Sequence, residues 1–153
     1  MLTQAGIALQ QGQRDEAAKL YQQVADDGGA PKAYRDLASI RAVAANYEAL
    51  EPQAVIVRLK PLATPGNPWF GSAGEIVAMA YMDQNRTDLA GPLFAQIAKE
   101  EDVPQTLRSR ARQIAGLLGV DAVEDVDATL AEMREESGGA PAAAAPAPAA
   151  AAQ

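Results

Sequence analysis

The sequence predicts an all-α protein of about three antiparallel helical hairpins stacked side by side, closed at the C-terminal end by one further helix. Three observations carry this expectation. First, 48% of the 153 residues are hydrophobic, but much of that is alanine and only 5% of residues are aromatic. Together with a scarcity of β-branched runs, this composition favours helix. Second, apolar residues recur at three- and four-residue spacing in segments separated by Gly, Pro and polar breaks. Third, one apolar spacing returns three times. Ala17-Tyr21-Val24-Ala25, Val55-Leu59-Leu62-Ala63 and Ala90-Phe94-Ile97-Ala98 stand 38 and then 35 residues apart. Ala5 and Ala78 lie twelve residues before Ala17 and Ala90, and Ala38 takes that place in the middle unit, displaced by a longer loop. Small residues at a crossing let two backbones approach, and a large residue one turn on fills the crease. A hairpin built in this way buries only one side, so neighbours must cover the other.

In chain order, Leu2, Ala5, Ile7, Ala8 and Leu9 read as the end of a helix stopped by Gly12. Residues 15–26 form a second helix, with Ala17, Leu20, Tyr21, Val24 and Ala25 on one side and Gly28-Gly29-Ala30-Pro31 as its break. Pro31 opens a third helix, on which Tyr34, Leu37, Ala38 and Arg41 recur at turn spacing as far as about Ala45. Residues 46–51 form a loop longer than its counterparts. Pro52 fits the first turn of a fourth helix carrying Val55, Ile56, Leu59 and Leu62, which Pro61 should kink or end. Asn67 and Pro68 read as the N-cap and first position of a fifth helix, with Val77, Ala78 and Tyr81 on one face. The polar break of residues 83–88, with Thr87 as cap, leads to a sixth helix whose stripe is Leu89, Ala90, Leu93, Phe94, Ile97 and Ala98. That break is too short for anything but an antiparallel pair. After Lys99-Glu100-Glu101-Asp102, Pro104 opens a helix with Leu107, Ala111, Ile114 and Leu118 inside, ending at Gly119. The expected domain is therefore residues 1–119. Residues 120–136 read as an acidic extension with a weaker helical pattern in Val123, Val126, Leu130 and Met133. Residues 137–153, almost entirely Gly, Ala and Pro, read as a disordered tail.

Composition narrows function by exclusion. A net charge of −7 argues against a nucleic-acid surface. There is no cysteine and no histidine. Disulfides, thiolate metal sites and histidine-based catalysis are therefore ruled out, including any Ser-His-Asp triad. No apolar run of about 18 residues occurs. Met1-Leu2-Thr3-Gln4-Ala5 has neither a basic region nor an apolar core, so it does not read as a signal peptide. It reads instead as part-way along a helix, with further residues expected upstream.

The repeat resembles the tetratricopeptide repeat. Gly12-Gln13-Arg14-Asp15-Glu16-Ala17 with Tyr21 matches its G-x-x-x-x-A-x-x-x-[FY] segment. Residues 85–94 match with Asn85 for Gly, whereas the middle unit departs, with Val55 for the central Ala and a lengthened turn. The resemblance implies a right-handed stack whose first helices line a concave face. A closer resemblance, over residues 5–118, rests on Tyr34-Arg35-Asp36-Leu37-Ala38, Leu59-Lys60-Pro61-Leu62-Ala63 and Gly66-Asn67-Pro68-Trp69, followed by the arginine-rich last helix. These look like the tetratricopeptide-like domain of the YfgM family. That resemblance implies a domain on the periplasmic side of the bacterial inner membrane, following an N-terminal transmembrane helix that is not in this sequence. It also implies a role as an ancillary part of the Sec translocon, with the translocon or periplasmic chaperones as partners. The alternative within the same class is a soluble periplasmic coordinator of cell-envelope assembly or division, similar to CpoB. Genomic sequence upstream of Met1 separates the two, as an anchor or a cleavable signal.

Either way the expected function is a non-enzymatic protein–protein interaction module without a cofactor or metal. Aligned on the tetratricopeptide pattern, the partner-binding groove comprises Lys32, Arg35, Ser39, Glu75, Met79 and Met82. Met79 and Met82 would give an adaptable apolar surface. Trp69 reads more readily as packing on the preceding hairpin than as a partner anchor. Glu100-Glu101-Asp102 and Glu124-Asp125 with Asp127 lack the alternating ligands and glycine of a calcium loop and read as solvated charge. Arg108, Arg110 and Arg112 do not share one helical face, and read as a salt-bridged surface. Gly71-Ser72-Ala73-Gly74 has no following Lys or preceding strand, so it is no phosphate loop, and its glycines predict a close helix–helix contact. An enzyme using paired carboxylates would need acids inside a pocket, whereas these fall in turns and on outer faces.

Overall fold

The computed structural model describes residues 1–120 and, beyond them, Arg134. The expected acidic extension and Ala/Pro-rich tail otherwise lie outside the described residues. Those described form seven α-helices and two 3₁₀ turns, with no strand among them. The helices are α1 (Leu2–Gln10), α2 (Arg14–Asp26), α3 (Lys32–Ala45), α4 (Pro52–Leu59), α5 (Phe70–Asp83), α6 (Thr87–Lys99) and α7 (Gln105–Leu117). The expected all-α class stands.

Three helix ends are built alike. Gly12, Asn85 and Gly119 take left-handed backbone, with φ of 75°, 58° and 81°. The next N–H then reaches back five residues: Gln13 to Ala8 O (2.9 Å), Arg86 to Tyr81 O (2.8 Å) and Val120 to Ala115 O (2.9 Å). This is the Schellman closure, which satisfies carbonyls left open at a helix C-terminus. Asn substitutes for Gly at position 85 because its short polar side chain tolerates that conformation.

Two expected caps are corrected. Asn67 does not cap α5, which begins at Phe70 behind Trp69. Instead, Asn67 Oδ1 accepts from Trp69 N–H at 2.8 Å, and its carbonyl accepts from Phe70 N–H at 2.9 Å. The side chain thus makes a local turn that competes with helix. Thr87 is the first residue of α6 and not its cap, because the closure at Asn85 leaves only Gln84, Asn85 and Arg86 between the two helices, and Arg86 takes the cap position. Pro61 acts as expected. With no N–H for the carbonyl four residues back, it ends α4 at Leu59, and the chain tightens into a 3₁₀ turn, Lys60–Leu62.

The interior divides into three apolar clusters. Helices α1, α2 and α3 meet through Ala5, Ala8, Ala17, Ala42 and Ala45, with Tyr21 as the large member. Helices α3, α4 and α5 meet through Ile40, Val43, Val55, Ile56, Leu59, Ala73, Val77 and Ala80. Helices α5, α6 and α7 meet through Phe70, Ala78, Ala90, Phe94, Ile97, Leu107 and Ala111. Tyr81 and Leu93 pack against both of the last two. Trp69 packs, partly buried, on the α3–α4–α5 cluster, as expected. The alanine pairs Ala5/Ala17 and Ala78/Ala90 are fully buried, so the outer hairpins cross closely. In the middle hairpin, larger side chains hold α3 and α4 apart. Leu89 and Ile7, expected in apolar stripes, are 37% and 48% exposed, because each sits at the edge of its stripe.

The glycines of α5 make the expected close contacts. A Cβ on Gly71 would lie 2.9 Å from both Leu107 Cδ2 and Val103 Cγ1, and one on Gly74 would lie 3.1 Å from Ile97 Cδ1. Gly91 of α6 is as tight, 2.8 Å from Val120 Cγ2. Helices α6 and α7 therefore seat directly on neighbouring backbone.

Candidate functional site

A cleft of about 1030 Å³ lies among α2, the end of α3 and α5. One wall is the α1–α2 turn and the start of α2, from Gly12 to Glu16 with Lys19. The other wall is the end of α3 and the 3₁₀ turn Tyr47–Ala49, from Ala44 to Ala49. Ile76 and Met79 of α5 form an apolar floor. The charged side chains of the cleft, Arg14, Asp15, Glu16, Lys19 and Glu48, are of both signs and stand on its walls.

The six expected groove residues do not all meet there. Met79 lines the cleft and is 43% exposed. Met82 is 37% exposed and lies three residues further along α5, on the same face. Glu75 shares that face but is engaged, since Arg110 of α7 donates from Nε to Oε1 (2.6 Å) and from its terminal nitrogen to Oε2 (2.9 Å). This two-point pairing raises the guanidinium pKa, chiefly through the hydrogen bond, and ties α5 to α7 across an exposed surface. Lys32 pairs with Asp36 one turn along α3. Arg35 is half-buried, and its Nε is buried without a hydrogen-bond partner. Ser39 is half-buried. Arg35 and Ala44 are nine residues apart, about half a turn out of phase, and it is Ala44 that faces the cleft. The α3 residues chosen by alignment therefore lie on a different face from the one bordering the cleft.

Several lining residues escaped the sequence reading. Ile76 is masked because an apolar residue beside Val77 reads as core. Tyr47 and Asp83 sit 36 residues apart in chain segments read as a loop and a break, yet the Tyr47 hydroxyl donates to Asp83 Oδ2 at 2.6 Å. The Tyr47 phenol is pushed well above the usual tyrosine range, first by burial and then by this carboxylate. Beside it, Gln84 Nε2 donates to Gln53 Oε1 at 3.1 Å. The available signal was the length of the 46–51 loop, which marked a departure from the repeat but not what it would touch.

A smaller hollow of about 340 Å³ lies at the other end of α5, among Gly66, Asn67, Ser72, Glu100, Asp102 and Pro104. Among the described residues, no polar or charged side chain is fully buried, no group of three or more acidic side chains is placed to hold a metal ion, and no helix is long and apolar enough to cross a membrane.

Fold and cleft together define an all-helical protein with an open, mixed-charge cleft floored by apolar side chains. Compared with protein-family models, with curated proteins and with solved structures, the chain matches none.

Proposed function

We propose that the chain is a non-catalytic protein–protein interaction module. In this reading it is a tetratricopeptide-like right-handed stack whose α5 face receives a segment of a partner protein. The observation that carries the reading is the exposed pair Met79 and Met82 on one face of α5, with Met79 in the floor of the cleft. Unbranched thioether side chains adapt to different apolar partners, and an exposed apolar floor ringed by charge is the anatomy of a peptide-binding groove. The left-handed closures at Gly12 and Asn85 and the alanine crossings that follow them support the repeat reading. The YfgM resemblance then supplies the setting: the periplasmic side of the bacterial inner membrane, with the Sec translocon or a periplasmic chaperone as partner and an N-terminal anchor outside this sequence.

In-cell photocrosslinking tests this reading. A photoreactive residue at Met79 is expected to capture a Sec or periplasmic chaperone component. The same residue at Val57, 65% exposed on α4, is not. Identical adducts from both positions, or no envelope protein from position 79, would overturn the proposal.

A further inference from the structure

We propose that the Tyr47–Asp83 hydrogen bond is a latch that sets the width of the cleft. The wall carrying Tyr47 is the insertion that distinguishes the middle hairpin. Its backbone bonds are local: Asn46 N–H to Val43 O, Ala49 N–H to Asn46 O and Leu50 N–H to Tyr47 O. These shape the turn but do not fix where it stands relative to α5. The larger side chains between α3 and α4 also leave this hairpin without the close alanine crossing found in the outer two. Lateral position is set instead by Tyr47 and Leu50 packing on the α3–α4–α5 cluster and by the side-chain bond from Tyr47 to Asp83, at 2.6 Å, at the C-terminal end of α5. The neighbouring bond from Gln84 to Gln53, at 3.1 Å, ties that end to α4 and not to the turn. The Asp83 bond has an acidic acceptor and is the stronger. Asp83 lies one turn beyond Met79 on the same helix, so the bond links the wall directly to the element that carries the floor. With the latch closed, the turn stands at a fixed distance from Lys19 and Glu16 on the opposite wall. With it broken, the turn retains its internal bonds but is free to shift outward.

The service such a latch performs, selecting which partner segment fits, rests on the proposed function; the latch itself does not. The chain has no cysteine, so spin labels placed through Lys19→Cys and Glu48→Cys, on opposite walls, report the width directly by pulsed electron resonance. The expected result is a narrow distance distribution in the otherwise native chain. Tyr47→Phe, which keeps the ring and its packing, should broaden the distribution and move its mean outward. Asp83→Ala should do the same, and the double variant should do no more than either alone. Circular dichroism verifies that each variant keeps its helix content. An unchanged distribution in Tyr47→Phe, or a shift with Asp83→Ala that Tyr47→Phe does not reproduce, overturns the latch. Neither outcome depends on whether a partner binds at Met79.

Discussion

Asn85 holds a conformation that glycine holds at the equivalent turn after α1, and one side chain decides how well. Its φ of 58° would place the Cβ of most residues against the next carbonyl, at roughly 1–2 kcal/mol. Asn85→Ala is therefore expected to lose about 1 kcal/mol of stability and Asn85→Gly to lose none, measured by urea unfolding. Gly71 is constrained by space, not by dihedral angle. With Leu107 and Val103 at 2.9 Å from a modest Cβ, Gly71→Ala should lose about 1–3 kcal/mol through overpacking. Tyr47 has a pH signature. Its folded-state pKa lies above the ordinary 10.0, so the neutral phenol is favoured by folding. That contribution is complete below about pH 10 and declines as pH rises toward the folded-state value. The stability gap between the native chain and Tyr47→Phe should therefore hold from pH 7 to pH 9 and shrink above pH 10. A gap that grew with alkali would contradict this assignment. These residue-scale features were unevenly legible beforehand. Glycine at 12 and 119 marks its turn, whereas Asn67 and Thr87 have the chemistry of caps without the position, because a cap depends on where the preceding turn closes.

At the scale of elements, helix spacing follows the size of the residue at the crossing. Ala78 and Ala90 are fully buried between α5 and α6. Val55 and Ile56 stand between α3 and α4. Enlarging the first crossing with Ala90→Val should destabilise by about 1–3 kcal/mol. Val55→Ala does not convert the middle hairpin into a close one. Ile40, Val43 and Ile56, together with the turn that carries Tyr47, still hold α3 and α4 apart, so the variant leaves a void and also loses about 1–3 kcal/mol. A stabilised Val55→Ala would show that the hairpin can close, and that side-chain size alone had opened it. The apolar stripes identified seven helices correctly because burial imposes the helical period on sequence. The face of α3 bordering the cleft was not legible. It depends on how α3 packs between α2 and α5, which the repeat spacing does not carry.

For the described residues as a whole, the three clusters differ in substance. The α1–α2–α3 cluster is almost entirely alanine around Tyr21, and the α5–α6–α7 cluster contains Phe70, Phe94, Ile97 and Leu107. Apolar burial contributes about 25 cal/mol per Å², so the N-terminal cluster gains the least. In a chain of neighbour-on-neighbour contacts, local opening should follow that gradient. Amide hydrogen exchange is expected to be fastest in α1 and α2 and slowest in α5 and α6; a flat profile would contradict helices held by three separate clusters. Phe94→Ala, which removes the largest side chain of the last crossing, should lose about 3–5 kcal/mol.

The sequence by itself determined the helical class, the positions of the helices and the residues at which outer hairpins cross, because periodicity, proline, glycine and alanine act within a few residues of where they stand. Only the tertiary structure decided that an inserted turn would meet the end of α5, that Glu75 would be held by Arg110, and which face of α3 would border the cleft. Those contacts join residues 31–36 positions apart, and such pairings follow from how far each helix pair is spread, a quantity that no local pattern encodes.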